Sequence, residues 1–440
     1  MRLPGYVMTC VDALEQAGFA AYAVGGCVRD ALLGLTPHDY DLCTCATPAE
    51  IRRVFSAYRL VLAGEKHGTV QVIVDGNPVE ITTFRTEGGY ADSRHPDWVH
   101  FETEVEADLS RRDFTVNAMA YSPYRSFADP FGGKADLENH CLRAVGNPTV
   151  RFQEDALRIL RGVRFCVSYG LQPEAQTLQA MTALASDMDK LARERIFEEL
   201  CKLLPRMTAQ DLLRFTPILI HALPELTPMV GFQQHSPYHA YDLLTHTAYV
   251  VETVPPVLAL RFAALLHDIG KPDCFYLDET GRGHFPGHAQ RSAALAETIL
   301  LRLKAPTSLR QQVVDLISRH MTPLEPDKRL LRRRLAKYGI PGVLDLLALQ
   351  RADFHSKGIP ITDDPFNQIE ALLEEIQQEA ACLTLKQMAI NGSDLLRLGM
   401  SPGPAVGACL NQLFREVLDG VLSNEREALL ARAQTLLSQN

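Results

Sequence analysis

The sequence predicts an α+β protein, with a small mixed α/β head followed by an all-α region. Within the first 145 residues, strand-like and helix-like patterns alternate. After about residue 150, strand patterns nearly vanish and apolar residues recur at helical spacing as far as the C-terminus. Breaks rich in proline and glycine then divide the chain. The predicted domains are a head at 1–145, a helical neck at 146–228, a third domain at 229–356 and a helical tail at 357–440.

The head begins with short elements that have clear boundaries. Residues 20–26 predict a strand that runs into a Gly-Gly turn. Residues 28–33 predict a short helix, which Gly34 ends. Residues 39–44 predict a second strand. The chain therefore passes from strand to helix to strand within 25 residues, counting from 20 to 44.

In the rest of the head, the sequence predicts one capped helix and a hairpin. Thr47 is a predicted N-cap for a helix that continues to about Tyr58. Residues 69–74 and 79–84 alternate apolar side chains at period two on either side of an Asp-Gly pair. That pair favours a tight turn between two antiparallel strands.

Composition indicates a cytoplasmic protein. The chain has 440 residues, of which 46% are hydrophobic, and no apolar run approaches the length of about 18 residues that spans a bilayer. Its N-terminus lacks the basic and apolar regions of a signal peptide. The net charge of −9 weighs against non-specific coating of nucleic acid, although local basic patches still allow RNA contact. One such run, at 328–337, is either an RNA-binding surface or a solvated helix face.

Asp39 and Asp41 indicate a two-metal site. At a spacing of two along a strand, their carboxylates would project from one face and share two Mg²⁺ ions. Such ions would activate a 3′-hydroxyl and neutralise charge on a leaving pyrophosphate. The alternative is a solvent-facing acidic strand, but the upstream Gly-Gly-helix unit favours phosphate binding. Glu80, after the hairpin turn, is a candidate third carboxylate or a simple surface residue.

Three stretches resemble the motifs of class II nucleotidyltransferases, the branch that holds bacterial CCA-adding enzymes and poly(A) polymerases. They read GGCVRDALLG with HDYDL at 25–42, RRDFTVNAMA at 111–120 and EDALRILRGVRF at 154–165. The resemblance covers roughly residues 1–225 in the family's order and spacing. It implies a nucleotidyltransferase head, tRNA as the acceptor, and CTP and ATP as substrates.

The resemblance also implies residue roles in the transferase site. Gly26 and Arg29 would contact nucleotide phosphate, and Arg112 would touch the nucleotide. Asp39 and Asp41 would hold Mg²⁺.

Asp155 and Arg158 are the predicted base-reading pair. Three apart on one helix face, they would present an acceptor beside fixed donors. Cytosine and adenine offer an amino donor next to a ring acceptor, whereas uracil and guanine invert that pattern. The pair could thus accept CTP and ATP without a template; the alternative is an ordinary intrahelical salt bridge. Arg161, near the edge of the same face, would also bind the nucleotide. Arg164 is expected to do so only because of its position in the family motif.

The polar segment at 87–97 is not predicted to form regular structure. It resembles the flexible loop that, in this family, is associated with the switch from C to A addition. Its presence favours full CCA addition or A addition.

A second candidate site lies in the third domain. Histidines and aspartates recur on successive helical segments, where they would bind a divalent transition metal, or a pair of them, suited to phosphoester hydrolysis. Their order and context resemble the HD superfamily of phosphohydrolases. The residues are His246, His267, Asp268, His288, His320 and Asp353.

Two other functions stay open at this point. A poly(A) polymerase or A-adding enzyme would share the motifs of the N-terminal half. In a nucleotide hydrolase, the HD domain would be active and the N-terminal half regulatory, although the Asp39 and Asp41 pair argues against this. The predicted function is therefore CCA addition to tRNA, with an HD-type phosphohydrolase site.

Overall fold

The chain forms two compact units. The computed structural model describes residues 1–88, 98–360, 365–379 and 381–438. The first unit comprises residues 1–227 with the segment 302–304, and the second comprises residues 228–301 and those from 305 onwards. The predicted α+β class is confirmed, because the one large sheet belongs to the head and helices dominate the rest. The division into four domains stays a prediction.

The head is built on a six-stranded sheet in the order β3-β4-β5-β2-β1-β8. Its strands and helices are α1 Gly5–Gln16, β1 Ala21–Val24, α2 Gly26–Leu32, β2 Asp41–Thr44, α3 Pro48–Val54, β3 Arg59–Val61, β4 Thr69–Val74, β5 Asn77–Thr83, β6 Arg85–Gly88, β7 Trp98–Phe101, α4 Val105–Ser110, β8 Ala120–Tyr121, α5 Gly133–Glu138 and β9 Cys141–Leu142. Strands β2 and β5 run parallel, and the other neighbouring pairs run antiparallel. All four residues of β1 are buried, because apolar side chains cover both faces of the sheet.

Most of the local predictions for the head agree with the structure. The hairpin of β4 and β5 turns at Asp75 and Gly76, which both have positive φ, as such a turn requires. Thr47 caps α3 in a reciprocal pair with Glu50. The helix ends at Val54 and not at Tyr58, since the chain turns there towards β3.

Strand β2 begins two residues later than predicted. Its first residue, Asp41, pairs with Val24, the last residue of β1. Because β1 ends there, residues before Asp41 have no strand to pair with on that side. Asp39 therefore precedes the strand, and the predicted strand start at residue 39 is wrong.

The polar segment at 87–97 differs in part from its prediction. Glu87 and Gly88 belong to β6, because they pair with Val99 and Trp98 of β7. The remaining residues of that segment lie outside the described part of the chain.

The neck consists of helices that follow the head in the first unit. They are α6 Pro148–Glu154, α7 Leu157–Tyr169, α8 Ala175–Ala183, α9 Arg193–Leu203 and α10 Ala209–Ala222, with a short strand β10 Gln172–Pro173 that pairs with β9. Asp155 separates α6 from α7 in an extended conformation, with φ −148° and ψ 103°. The prediction that Asp155 and Arg158 share one helix is therefore wrong.

The second unit is almost wholly helical. Its elements are α11 Leu243–Thr253, α12 Leu258–Leu266, β11 Tyr276–Leu277, β12 Gly283–His284, α13 His288–Arg302, α14 Thr307–Arg319, α15 Lys328–His355, α16 Phe366–Gln378, α17 Gly392–Arg397, α18 Pro404–Leu418 and α19 Arg426–Leu437. Helix α15 is kinked at Gly339. Within the described ranges, no helix combines the length and apolar content needed to cross a membrane.

Candidate active sites

The first site lies where β1 turns into α2. Gly25 has φ +77°, a conformation that favours glycine. A Cβ atom at this position would lie 2.8 Å from Nη1 of Arg112, so the guanidinium packs directly on the turn. Gly26 then opens α2. The structure thus brings two of the predicted nucleotide contacts, Gly26 and Arg112, to one turn.

Asp41 and Glu80 lie side by side in the sheet. They are register partners in the parallel pairing of β2 and β5. Both side chains reach solvent, yet protein atoms crowd the carboxylate of Asp41. This partial desolvation and the charge of Glu80 raise the pKa of Asp41 to about 6, with Arg112 opposing and Asp39 adding to the shift. The raised pKa of Asp41 means that its charged form is costly here, so a bound cation would be favourable.

Arg112 is held by a carboxylate that the sequence did not single out. Asp108, fully buried in α4, contacts Arg112 at 3.2 Å and Arg111 at 2.8 Å. Burial opposes its charge, but the two guanidinium groups hold the pKa of Asp108 below its usual value. The sequence does carry a signal for this contact, because Arg111 and Arg112 follow Asp108 by three and four residues, the spacing of neighbours on one helix face.

Arg29 is buried and already paired. Its guanidinium donates to Asp30 at 2.7 Å, to Asn117 at 2.6 Å and to the hydroxyl of Tyr169 at 2.5 Å. It also lies 4.1 Å from the centre of the Tyr169 ring. In this structure Arg29 therefore joins α2 to the neck helix α7, and its phosphate contact stays a prediction.

Asp155 and Arg158 do not pair with each other in the structure. Asp155 accepts from the backbone N–H of Leu157 at 3.0 Å and from the Arg195 guanidinium at 2.7 and 3.2 Å. Arg158 instead contacts Glu154 at 2.6 Å. Because each has its own partner, the alternative of a salt bridge between Asp155 and Arg158 is also wrong.

The two remaining neck arginines that were predicted to bind nucleotide, Arg161 and Arg164, are paired with buried acidic residues. Arg161 donates two hydrogen bonds to Asp113, at 2.7 and 2.9 Å. Arg164 donates to Glu199, which is 3% exposed, at 2.5 Å. Burial opposes the charge of Asp113, but the guanidinium of Arg161 and the amide of Asn117 lower its pKa. These partners lie 35 and 48 residues away in the chain, so helical periodicity alone does not reveal them.

Four basic residues of the run at 328–337 are paired with three carboxylates. Lys328 contacts Glu375 and Glu379, and Arg333 contacts Asp419. Arg329 shares Asp419 with Arg333, and Arg332 shares Glu379 with Lys328. The run therefore consists mainly of ion pairs between helices.

The second site forms where five helical segments meet. Helix α12 is buried from Ala259 to Leu266, so its C-terminal end places His267 and Asp268 inside the unit. The other four residues come from α11, α13, α15 and the C-terminal end of α14. The structure thus brings together all six residues that the sequence predicted.

The four imidazoles share one hydrogen-bonding arrangement. In each, Nδ1 lies against a backbone carbonyl oxygen, which can only accept, so Nδ1 carries the proton and Nε2 has a free lone pair. The contacts are His246 to Ser356 at 3.1 Å, His267 to Ala264 at 2.8 Å, His288 to Phe285 at 2.8 Å and His320 to Ile317 at 2.7 Å.

These Nε2 atoms converge on the carboxylate of Asp268 in two groups. In each group the candidate ligand atoms lie within 4.8 Å of one another. The first group is His246, His267, Asp268 and Asp353, and the second is Asp268, His288 and His320. Oδ2 of Asp268 lies 3.2 Å from His267, while Oδ1 lies 3.5 Å from His288. Asp268 therefore belongs to both groups, one oxygen to each.

Several of these atoms are buried without a hydrogen bond. Nε2 of His246, Nε2 of His267 and Oδ2 of Asp268 are in this state, although charged atoms lie close by at unsuitable angles. Buried acceptors that face one another are costly unless a cation lies among them. This donor set of imidazole nitrogens and carboxylates fits a divalent transition metal.

The close packing of the second site shifts the pKa values of its histidines. Burial lowers the pKa of His288 and lowers that of His320 to about 4. Burial also opposes a charged His267, but the carboxylate of Asp268 outweighs it and raises the pKa of His267. A positive charge in the first group is therefore favourable, whether a proton or a metal supplies it.

The acidic residues of the head form a looser arrangement than this. Across the described residues, ligand atoms of three or more acidic, histidine or cysteine side chains come together only in the two groups around Asp268. Asp39, Asp41 and Glu80 do not form such a group.

Known protein families match both units. Residues 21–143 match the poly A polymerase head domain, and residues 170–230 match the probable RNA- and SrmB-binding site of polymerase A. Residues 288–433 match a family described as putative tRNA nucleotidyltransferase domain 2.

Full-length relatives are also known. The chain is 35% identical to a CCA-adding enzyme of Limosilactobacillus fermentum, over 97% of this chain and 96% of that protein. It is 34% identical to a CCA-adding enzyme of Streptococcus gordonii, over 96% and 94% of the two chains. It superimposes on the Bacillus stearothermophilus CCA-adding enzyme in complex with CTP with a TM-score of 0.70 and 28% identity, covering 100% and 99% of the two chains. This chain therefore belongs to the family of CCA-adding enzymes, in the class II nucleotidyltransferase and poly(A) polymerase group.

Proposed function

We propose that the chain adds CCA to the 3′ ends of tRNA, using CTP and ATP and releasing diphosphate. The observation that carries this proposal is the pairing of Asp41 with Glu80 beside the turn at Gly25, on which Arg112 packs. Membership of the CCA-adding family and the match to a tRNA nucleotidyltransferase domain support the choice of reaction and acceptor.

Nucleotidyltransferases of this class use a divalent metal, typically Mg²⁺, and the residues fit one. Asp41 and Glu80 supply the oxygen ligands that Mg²⁺ prefers, and the pKa of Asp41 is raised by desolvation and, to a smaller extent, by the charge of Glu80. Asp39 would add a third carboxylate if it moves towards the other two. Bound Mg²⁺ would neutralise phosphate charge and favour the deprotonated 3′-hydroxyl. Arg112 would orient the triphosphate from the Gly25 turn.

Asp155 is the proposed acceptor for the exocyclic amine of the incoming base. Arg195 holds its carboxylate, which would leave oxygen lone pairs to accept from cytosine N4 or adenine N6. Arg158 would supply the neighbouring donor from its place against Glu154. A wrong base would leave these polar groups unpaired.

A primer-extension assay tests this proposal. On tRNA that lacks its CCA end, we expect C addition with CTP alone and completion to CCA with both nucleotides. Asp39→Ala and Asp41→Ala should each abolish addition while the protein stays folded. Glu138→Ala, which removes an exposed carboxylate of α5, is the matched control and should add nucleotides normally. Repeated ATP addition without CTP would instead indicate a poly(A) polymerase.

The second site supports a further activity, hydrolysis of a phosphoester at a divalent transition-metal centre. The observation that favours it is the convergence of four imidazole Nε2 atoms on the buried carboxylate of Asp268. His246, His267, Asp268 and Asp353 would hold a metal at the first position, and Asp268, His288 and His320 would hold one at the second. Bound metals would supply Lewis-acid activation of the phosphoester and of water.

Metal loading and hydrolysis test this second activity. Protein loaded with Mn²⁺, Ni²⁺ or Co²⁺ should hydrolyse a phosphomonoester or a 2′,3′-cyclic phosphate. His267→Ala combined with Asp268→Ala should remove both metal binding and hydrolysis. His284→Ala, which alters a partly exposed histidine paired with Asp278, is the control. A wild-type protein that binds metal but hydrolyses none of these substrates would leave the centre a structural one.

A further inference from the structure

Lys271 lies inside the second site and contacts its central carboxylate. It is 5% exposed, and its Nζ lies 2.7 Å from Oδ2 of Asp268. The ammonium also donates to Oε1 of Gln234 at 2.9 Å and lies 5.2 Å from the centre of the Phe285 ring. A buried acceptor, a carboxylate and an aromatic face therefore enclose this positive charge.

The ammonium lies against the same oxygen as the first group of metal ligands. Oδ2 of Asp268 is 3.2 Å from Nε2 of His267 and 3.7 Å from Nε2 of His246. A divalent ion held by these atoms would face the ammonium at short range in a poorly solvated interior. Two cations would then compete for one oxygen, and their repulsion would be weakly screened.

We propose that Lys271 is an internal counter-ion that balances Asp268 in the metal-free protein and thereby weakens metal binding at the first position. The proposal rests on the metal centre described above and adds a determinant of its affinity. Without metal, the ammonium offsets the buried carboxylate, which would otherwise be an unbalanced charge. With metal bound, the same ammonium repels the ion.

A second lysine near the site offers a control. Lys357 lies 3.9 Å from Oδ2 of Asp353, with 24% of its side chain exposed. Solvent screens this pair, and the distance is longer. Removing the charge of Lys357 should therefore change metal affinity much less than removing that of Lys271.

The test measures metal binding and metal-free stability in the full-length protein. Lys271→Met keeps the length of the side chain and removes its charge, whereas Lys271→Arg keeps the charge. We expect Lys271→Met to bind Mn²⁺ or Co²⁺ by calorimetry about tenfold more tightly, or more, than wild type. Its metal-free form should melt at a lower temperature and gain more from added metal. Lys271→Arg and Lys357→Met should stay close to wild type.

A further variant covers the case in which Lys271→Met does not fold. Lys271→Gln removes the charge but keeps a polar group that can still hydrogen-bond to Asp268 and Gln234, so metal affinity should rise in the same direction. Unchanged or weaker binding in Lys271→Met, or in Lys271→Gln where Lys271→Met does not fold, overturns the proposal.

The same binding measurements distinguish failure of the metal centre from failure of the counter-ion role alone. If neither wild type nor Lys271→Met binds these metals, the centre and the counter-ion role are both wrong. If wild type binds metal and the affinity of Lys271→Met is unchanged, the centre stands and the counter-ion role alone is wrong. Binding by Lys271→Met only would support the proposal.

Discussion

Gly25 combines two constraints at one residue. Its φ of +77° disfavours any residue with a side chain, and a Cβ atom would meet the Arg112 guanidinium at 2.8 Å. The first constraint concerns stability and the second concerns the position of a proposed nucleotide contact. A matched pair of substitutions can separate them.

We predict that Gly25→Ala lowers kcat/KM for CTP incorporation strongly, because the new methyl group displaces Arg112. The backbone strain alone should lower the free energy of unfolding by about 1 kcal/mol. Gly18→Ala is the control, since Gly18 has φ +87° and open space around its Cβ position. That variant should be less stable but as active as wild type. Equal activity of both variants would show that Arg112 need not occupy this place.

Arg195 is the residue that holds Asp155, and it lies 40 residues further along the chain. We predict that Arg195→Ala frees the Asp155 carboxylate to reorient. The preference for CTP and ATP over UTP and GTP should then fall roughly tenfold or more in kcat/KM. Arg193→Ala is the control on the same helix, where Arg193 donates to the Asp189 carbonyl. A loss of stability with unchanged base preference would mean that Arg195 has only a structural role.

At the scale of elements, the break between α6 and α7 sets the geometry of the proposed base-reading residues. It takes Asp155 out of the helix and leaves Arg158 within α7. The carboxylate is then free to meet Arg195 on α9 instead of a neighbour on its own helix. The close packing of α7 against its surroundings keeps this arrangement in place.

Gly162 shows how tightly α7 packs. A Cβ atom there would lie 2.9 Å from Cε of Met181 and 3.0 Å from Cζ of Phe114. We predict that Gly162→Val lowers the free energy of unfolding by roughly 1–3 kcal/mol through overpacking. Ser168→Val, at a partly exposed position of α7, is the control in urea denaturation and should have a small effect. A Gly162→Val protein as stable as wild type would mean that Met181 simply moves aside.

At the scale of the whole molecule, each site is built within one compact unit. The head and neck residues belong to the first unit, and the residues around Asp268 belong to the second. We predict that Asp41→Ala abolishes nucleotide addition and leaves metal binding at the second site unchanged. His267→Ala with Asp268→Ala should do the reverse.

Assays of both variants for primer extension and for Mn²⁺ binding check this independence. Circular dichroism would confirm that each variant is folded. A loss of nucleotide addition in the His267 and Asp268 variant would contradict it and would indicate coupling between the units.

The sequence alone determined the features that depend on near neighbours. The hairpin of β4 and β5, the cap at Thr47 and the change from mixed to helical structure all follow from local patterns. Asp268 and the five residues around it were also predicted, because histidines and aspartates recur on successive helical segments in an order that resembles the HD superfamily. Local hydrogen bonding and hydrophobic spacing are encoded within a few residues.

Only the tertiary structure decided which charged groups pair. Asp155 pairs with Arg195, and Arg164 pairs with Glu199. The structure also decided that Asp39 lies outside β2, because β1 ends at Val24. A buried charge pairs with an opposite charge that the fold brings close, and that residue can lie anywhere in the chain. Lys271 lies three residues from Asp268, yet only the structure places its ammonium on the oxygen that a metal would need. Spacing predicts which residues are close, whereas packing decides which atoms meet.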